Sequence, residues 1–173
     1  MLTINWNPFK TAWAKWLLEA ILIVAVIWGI SAWQTRDLLP TVNAKAPPFE
    51  LLALDGKTYR LTENQAQATL IYFFAPWCKV CHLSIGNVEK LRHLRTAAEL
   101  SIFLIAIDWQ NLEELKQFVA KHSLTIPVLL GTSDVAQQYR IKGFPTYYIL
   151  DAEGKIKQRS MGYTTELELR WKL

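Results

Sequence analysis

The chain has only two cysteines in 173 residues, and they stand three positions apart, at Cys78 and Cys81. A framework of several structural disulfides is therefore excluded, and a bridge between residues so close in sequence would add little stability through chain entropy. A zinc site made of two Cys-x-x-Cys pairs is also excluded, because the chain has no second pair. These absences favour a catalytic role for the one pair.

A strong excess of charge is also missing. The formal net charge is +4, and residues 45–173 carry 16 lysines and arginines against 13 aspartates and glutamates. A balance this small and dispersed argues against a nucleic-acid partner. With 51% hydrophobic and 20% charged residues, we expect the chain to fold, and its length suits one compact domain.

Charge is absent altogether from the segment AILIVAVIWGISAW, residues 20–33, and Trp13 and Trp16 lie just before it. At about 1.5 Å per residue, residues 13–33 would span about 31 Å, close to the thickness of the hydrocarbon core of a bilayer. Tryptophans are typical of the membrane interface. We predict a transmembrane helix over residues 17–33, after an N-terminal segment of residues 1–16.

The charges that flank this helix predict its orientation. Lys10, Lys15 and the amino terminus precede it, whereas Arg36, partly offset by Asp37, follows it. The positive flank stays in the cytoplasm, so we expect a single-pass protein of the bacterial inner membrane with its larger part in the periplasm, where disulfide chemistry is feasible. A cleaved signal peptide is the alternative, because residues 42–44 resemble a small-residue cleavage site.

The rest of the chain divides into a predicted linker, residues 34–48, and a predicted domain, residues 49–173. The linker contains three prolines and has no helical period. The domain opens with Asp55-Gly56 between two short apolar runs, which predicts a β-hairpin, and continues with ATLIYFFAP, which is typical of a buried central strand. We expect an amphipathic helix over residues 79 to about 98, with inward side chains at Ile85, Val88, Leu91 and Leu94.

Further elements follow in alternation. LSIFLIAID predicts a second buried strand, and NLEELKQFVAKHSL predicts a helix capped by Asn111. Leu112, Leu115, Phe118 and Val119 are its expected inward residues. A short strand, a short helix, a second hairpin at Glu153-Gly154 and a terminal helix complete the pattern. Strands that alternate with helices and end in a hairpin predict an α/β fold with a mixed sheet.

The segment WCKVCH, residues 77–82, fits two kinds of chemistry. Cys-x-x-Cys is the spacing of a redox-active dithiol, whereas Cys-x-x-Cys-His is the spacing that attaches a c-type haem. Strand, Trp-Cys-x-x-Cys and helix in succession place Cys78 at a helix N-terminus, where backbone N–H groups and the neighbouring Lys79 favour a thiolate. We therefore predict Cys78 as the nucleophile and Cys81 as the resolving thiol.

Two alternatives stay open at this point. A haem would use His82 as one ligand, but His93 and His122 lie on charged predicted helices, where solvated histidines are expected. Cu(I) could bind Cys78, Cys81 and His82, because soft thiolates select this ion. His82 could instead favour the Cys78 thiolate or be a bystander. Disulfide exchange itself needs no metal and no cofactor.

Two stretches together also carry a family resemblance. LIYFFAPWCKVC followed by IKGFPTYYILDAEGKI resembles the membrane-anchored thioredoxin-like proteins of the TlpA/ResA type, closest to the ScsD-like branch of protein disulfide oxidoreductases, over about residues 46–163. The resemblance implies a thioredoxin-like fold with Pro145 in a cis-proline loop beside the cysteines. It also implies that Phe144 pairs through its backbone with a substrate peptide, that Trp77 forms an apolar surface, and that Lys79 and Val80 help to set the redox potential.

The sequence departs from that family at two positions. Thioredoxins carry a buried aspartate where this chain has Tyr72, and many ResA-like reductants carry a glutamate where it has Ser84. Cys81 is thus left without an obvious base. The expected partners are thiols or disulfides of exported proteins and an integral membrane electron donor, and nothing indicates an oligomer, so we expect a monomer. The client and the direction of electron flow stay open.

Overall fold

The computed structural model describes residues 8–42, 44–61 and 66–173, with side chains from residue 13 onwards. Its contacts divide the chain into two units, one up to Arg36 and the other from Asp37 to Leu173. The described residues of the first unit form one helix, α1 (Pro8–Thr35). Its segment Trp13–Thr35 is long and apolar enough to cross a membrane, since 23 residues at about 1.5 Å each span about 34 Å.

The second unit contains two sheets. A separate hairpin consists of β1 (Glu50–Leu52) and β2 (Thr58–Arg60), which pair antiparallel. The main sheet consists of five strands: β3 (Ala68–Phe74), β4 (Leu100–Ala106), β5 (Val128–Leu130), β6 (Thr146–Asp151) and β7 (Ile156–Met161). Their order is β5-β4-β3-β6-β7, with β3, β4 and β5 parallel and with β6 and β7 antiparallel to their neighbours. The prediction of an α/β thioredoxin-like fold with a mixed sheet and an N-terminal hairpin is confirmed.

Among the described residues of this unit, four helices accompany the sheet: α2 (Lys79–Leu94), α3 (Leu112–Lys121), α4 (Ser133–Gln138) and α5 (Glu166–Lys172). The predicted cap of α3 is confirmed, because Asn111 Oδ1 accepts a hydrogen bond from Glu114 N. Two predicted inward residues are wrong: Leu94 is 50% exposed and Leu112 is 44% exposed. Leu94 is the last residue of α2 and Leu112 is the first residue of α3, so neither side chain is enclosed by the core.

The central strand β3 is buried on both faces, as its sequence predicted. Leu70, Tyr72 and Phe74 point into one layer, where α2, α3 and α5 also bury side chains. Because successive side chains of a strand alternate, Ile71 and Phe73 point into the opposite layer. We call the first the cysteine layer, since it contains both cysteines, and the second the arm layer.

The arm layer is closed by residues 37–42 and 44–49, which we call the arm. These residues overlap the predicted linker, and the structure shows them packed on the domain. Leu38 is 1% exposed within the arm layer, and Arg159 Nη1 donates to the carbonyls of Leu38 and Leu39 at 2.7 Å each. Lys142 Nζ donates to Asp37 Oδ2 at 2.8 Å. From Asp37 onwards, apolar burial and these hydrogen bonds therefore fix the segment on the domain.

Candidate active site

The two cysteines lie at the N-terminus of α2 and form a disulfide. Cys78 is the N-cap residue, so its sulfur faces the free N–H groups of the first turn, and it accepts a hydrogen bond from Cys81 N at 3.2 Å. Cys78 is 6% exposed and Cys81 is 0% exposed. A partner can therefore reach only the sulfur of Cys78, and the helix N-terminus would stabilise its thiolate after reduction.

The loop before β6 lies directly beside this sulfur. Its Phe144–Pro145 peptide bond is cis, and the carbonyl oxygen of Phe144 lies 3.5 Å from Cys78 Sγ. The loop is fixed from two sides, since Gly162 N donates to Pro145 O at 2.8 Å and Thr146 Oγ1 donates to Gly143 O at 2.8 Å. These contacts hold a backbone carbonyl of the loop next to the reactive sulfur.

Trp77 forms one wall of the site. Its ring is 53% exposed and packs edge-to-face on Phe144, with ring centroids 5.7 Å apart. Its Nε1 donates to both the carbonyl oxygen (3.2 Å) and Oδ2 (3.1 Å) of Asp108. Asp108 is not among the site residues that the sequence predicted. Its position was the available signal, because Asp108 follows β4 at the strand end that lies beside the end of β3, and the carboxyl ends of parallel strands meet at one edge.

Lys79 and Val80 lie between the cysteines in the first turn of α2, and both are exposed. Their side chains are therefore available to a docking partner. Lys79 also places a positive charge one residue from Cys78 in sequence.

Beneath the cysteines, Tyr72 and Ser84 form a fully buried pair. Their hydroxyl oxygens are 2.6 Å apart. Because the Ser84 hydroxyl donates to Val80 O at 3.1 Å, the Tyr72 hydroxyl is the donor in this pair. Burial raises the pKa of Tyr72 far above its usual value, so the pair stays neutral. The family resemblance would place carboxylates at these two positions. Here the two side chains contact each other, and neither is charged.

Near the start of α2, His82 pairs with His122 at the end of α3. His82 Nδ1 lies 2.6 Å from His122 Nε2, and both rings pack on Phe118, with centroids 4.6 and 4.7 Å apart. Burial, followed by the charges of His82 and Lys121, lowers the pKa of His122. The expectation that His122 is simply solvated is wrong. No local signal indicates the pairing, since 40 positions separate the two residues.

The geometry gives little support to the c-type haem or to the Cu(I) site. Within residues 8–42, 44–61 and 66–173, no three His, Cys, Asp or Glu side chains are arranged to hold a metal ion. His82, the shared ligand of the haem and copper hypotheses, is hydrogen-bonded to His122. The arrangement favours chemistry at the dithiol itself.

Comparison with known proteins gives the family. The family profile described as AhpC/TSA family matches residues 42–159, more than half of the chain. The chain belongs to the AhpC/TSA family. Thioredoxin-like protein YneN of Bacillus subtilis is 30% identical over 167 residues, covering 92% of this chain and 96% of YneN. Thiol-disulfide oxidoreductase ResA of Geobacillus thermodenitrificans is 25% identical over 152 residues, covering 87% of each protein.

Solved structures show the same fold. StoA from Bacillus subtilis superposes with a TM-score of 0.65 at 20% identity, covering 77% of this AhpC/TSA-family chain and 98% of StoA. A thiol:disulfide interchange protein of the thioredoxin family from Chlorobium tepidum gives 0.69 at 21% identity, covering 78% and 96%. These comparisons confirm the resemblance to the TlpA/ResA type and a thiol–disulfide oxidoreductase with Cys78 and Cys81 as its Cys-x-x-Cys pair. Membership of the ScsD-like branch stays a prediction.

Proposed function

We propose that this AhpC/TSA-family chain exchanges disulfides with thiols of exported proteins. Cys78 is the sulfur that a partner thiolate attacks and, in the reverse direction, the sulfur that attacks a partner disulfide. Cys81 is the resolving thiol. One observation carries the proposal. The outer sulfur of the disulfide caps a helix and lies 3.5 Å from a fixed backbone carbonyl, whereas the inner sulfur is fully buried. Only Cys78 can form the mixed disulfide through which exchange proceeds.

The oxidised form reacts in two balanced steps. A partner thiolate attacks Cys78 Sγ, a new S–S bond forms to the partner, and the Cys78–Cys81 bond breaks with Cys81 leaving as a thiolate. A second partner thiolate then attacks the partner sulfur of the mixed disulfide, and Cys78 leaves as a thiolate. The partner is oxidised to a disulfide and the chain is reduced to a dithiol. The reverse sequence reduces a partner disulfide.

The reverse direction requires Cys81 to lose a proton within the core. The nearby Tyr72–Ser84 pair is neutral and offers no carboxylate as a base. Water, His82 or the thiolate that leaves the partner takes this proton. Resolution through Cys81 then proceeds without a protein carboxylate in that position.

Docking of the partner uses the surface around Cys78. The backbone of Phe144, in the cis-proline loop with Pro145, pairs with an extended peptide in the manner of an added strand. The exposed ring of Trp77 supplies apolar contact beside it, held by its two hydrogen bonds to Asp108. Lys79 and Val80 complete the exposed rim of the site.

We also propose the cellular arrangement. The helix is retained as a single-pass anchor in the inner membrane over residues 17–33, the amino terminus lies in the cytoplasm, and the domain, a monomer, lies in the periplasm. Support comes from the apolar segment Trp13–Thr35 and from the positive residues that precede it. Attachment of an impermeant thiol reagent to the reduced protein in intact cells tests this arrangement, because a cytoplasmic domain would stay unlabelled.

Trapping of mixed disulfides tests the proposed mechanism. Cys81→Ala removes the resolving thiol, so Cys78 should accumulate adducts with partner proteins that migrate as reductant-sensitive bands. Cys78→Ala is the matched control, since it keeps one thiol, but a buried one that partners cannot reach. Absence of adducts in the first variant, or equal adducts in both, would contradict the assigned roles.

The reduction potential of the pair gives the direction of electron flow. A value near about −270 mV, as in thioredoxin, makes the chain a reductant that an integral membrane donor must recharge. A value near about −120 mV, as in DsbA, makes it an oxidant or isomerase. Equilibration with glutathione or dithiothreitol, followed by separation of the oxidised and reduced forms, measures it.

A further inference from the structure

The main sheet has an incompletely paired edge at the start of β4. The pairing of β4 with β3 covers Leu100–Ala106, whereas its pairing with β5 covers only Leu104–Ala106. Among the described residues, no strand therefore lies beside residues 100–103 of β4 on the side of β5. Unpaired backbone along a strand edge is a template to which another extended chain can add.

The backbone of Ile102 faces this open side. Along a strand, the N–H and C=O groups of successive residues point alternately to its two neighbours. Ala106 O accepts a hydrogen bond from Gly131 N, on the side of β5, whereas Glu99 O accepts from Ala68 N, on the side of β3. Ile102 lies four residues before Ala106, so its N–H and C=O groups also point to the side of β5. No described backbone group bonds to them there.

Pro127 explains why the pairing of β4 with β5 stops. In the parallel register of these strands, the next bond of the ladder would run from the N–H of residue 127 to Ile102 O, but proline has no N–H. The residues before Pro127 are bonded to α2 instead, because Glu89 accepts hydrogen bonds from Thr125 Oγ1 and Ile126 N. The edge at Ile102 is thus kept open by a proline on one strand and by a buried carboxylate on the neighbouring helix.

A positively charged cleft, which we call the basic cleft, lies beside the open edge. Arg92, His93 and Arg95 line it at the end of α2, and the described residues that line it include no aspartate or glutamate. All three side chains are exposed. The carboxylate of Glu99 follows in the chain but accepts two hydrogen bonds from Thr96. The charge of the basic cleft is therefore complementary to an acidic ligand.

The other face of the same edge carries a more apolar cleft, which we call the apolar cleft. Tyr59, Phe103 and Leu129 line it, together with Arg60, whose guanidinium pairs with Glu50 at 2.8 Å. Successive side chains of a strand point to opposite faces. A strand added to this edge would therefore present every second side chain to the basic cleft and the others to the apolar cleft.

We propose that the open edge at Ile102 binds an extended segment of a partner protein in which acidic residues alternate with apolar ones. The segment runs antiparallel to β4, so one of its residues bonds both the N–H and the C=O of Ile102. The acidic side chains face Arg92 and Arg95. A second copy of this chain fits less well, because it would place its own arginines against them. The active site lies at the other end of β4, beside Asp108, so the bound segment leaves Cys78 free.

The test titrates the full-length chain in detergent micelles into a fluorescein-labelled peptide of four glutamate–valine repeats and follows the fluorescence anisotropy. We expect saturable binding that weakens with added salt. Four lysine–valine repeats should bind at least about fivefold more weakly. N-methylation of the two central glutamates removes the N–H groups that face β4 and should also weaken binding at least about fivefold. N-methylation of the two central valines is the matched control and should have a smaller effect.

Charge reversal in the protein gives a second readout. Arg92→Glu combined with Arg95→Glu should weaken binding of the glutamate–valine peptide at least about fivefold. Lys116→Glu combined with Lys121→Glu makes the same change of charge at exposed positions of α3 and should leave binding unchanged. Exchange with glutathione disulfide should be unchanged in both variants, so a failure of the proposed chemistry would be recognised separately.

Four results would overturn the inference. They are no binding of the glutamate–valine peptide up to about 1 mM, equal binding of the lysine–valine peptide, equal losses on methylation of glutamates and valines, and equal losses in the two charge-reversal variants. The peptide comparisons use the wild-type chain, so they decide even if a variant folds poorly. A dimer in sedimentation that the glutamate–valine peptide dissociates would assign the edge to a second copy and would also overturn the inference.

Discussion

The two layers on either side of the main sheet differ in what they bury. The cysteine layer contains the disulfide and, beside it, the Tyr72–Ser84 hydroxyl pair. The arm layer contains no cysteine among its described core residues and instead buries Leu38 of the arm. One layer therefore positions reactive groups, and the other fixes the segment that follows α1.

Hydrogen bonding differs between the layers in the same way. In the arm layer, polar side chains bond to the backbone of distant segments: Tyr139 Oη donates to Pro47 O at 2.6 Å, and Arg159 donates to two carbonyls of the arm. Such bonds fix a segment and leave no group free to react. Substitutions in the cysteine layer should therefore alter redox chemistry, whereas substitutions in the arm layer should alter stability.

The largest expected effect is on activity, from Cys78→Ser. Exchange with glutathione disulfide, followed by release of thiol, should fall to the background rate, because Cys81 is buried and cannot be reached. The free energy of unfolding should match that of the reduced wild-type chain, measured by urea unfolding. Residual exchange through Cys81 at a rate close to wild type would break the distinction between an outer and an inner sulfur.

Leu38→Ala should produce the largest loss of stability without a change in redox chemistry. Removal of this buried side chain leaves a cavity in the arm layer, and we expect a loss of about 2–5 kcal/mol in the free energy of unfolding. Val42→Ala, at an exposed position of the same arm, should cost no more than about 0.5 kcal/mol. Equal effects of the two changes, or an altered reduction potential in Leu38→Ala, would contradict the separation of the layers.

Tyr72→Phe sharpens the comparison within the cysteine layer. It removes the hydrogen bond to Ser84, which keeps its own bond to Val80 O, so we expect a loss of about 0.5–1.5 kcal/mol. Because the pair is neutral, the pH dependence of exchange should stay unchanged. Tyr59→Phe, which removes an exposed hydrogen bond to Asp55, should cost less and serves as the matched control. A displaced pH profile in Tyr72→Phe would show that the tyrosine takes part in proton transfer.

The smallest expected effect concerns α5, which closes the cysteine layer. Burial alone would raise the pKa of Glu168, but hydrogen bonds from Lys172 and Tyr147 outweigh it and lower that pKa. A carboxyl whose pKa is lower in the folded state stabilises the fold above its unfolded pKa and loses this effect in acid. Glu168→Gln should therefore cost about 1 kcal/mol or less at pH 7. In urea unfolding, the difference in the free energy of unfolding between Glu168→Gln and wild type should shrink below pH 4.5. A difference that grows in acid would contradict a lowered pKa of Glu168.

Local sequence signals predicted much of the fold and the core of the site. Asp55-Gly56 and Glu153-Gly154 do lie between paired strands, with both glycines at positive φ, and Cys78 does cap a helix. Each of these features depends on residues a few positions apart, which propensity and spacing describe well.

Features that depend on distant residues could not be predicted in this way. The carbonyl of Leu38 is hydrogen-bonded to Arg159, which lies 121 positions away, and the hydrogen bonds of Trp77 rely on Asp108, 31 positions away. The prolines of the arm suggested a loose linker, since nothing nearby in sequence shows the carbonyl partners that fix it. Tertiary contacts of this kind become visible only once the strands are placed.

Alkylation of the reduced chain by a limiting amount of iodoacetamide at neutral pH tests the central claim most directly. Lys79 lies between the cysteines, so trypsin separates them onto two peptides and mass spectrometry reads each label independently. The account predicts that Cys78 is labelled rapidly while Cys81 stays unmodified, because the first is an outer thiol at a helix N-terminus and the second is buried. Equal labelling of both cysteines, or faster labelling of Cys81, would contradict it.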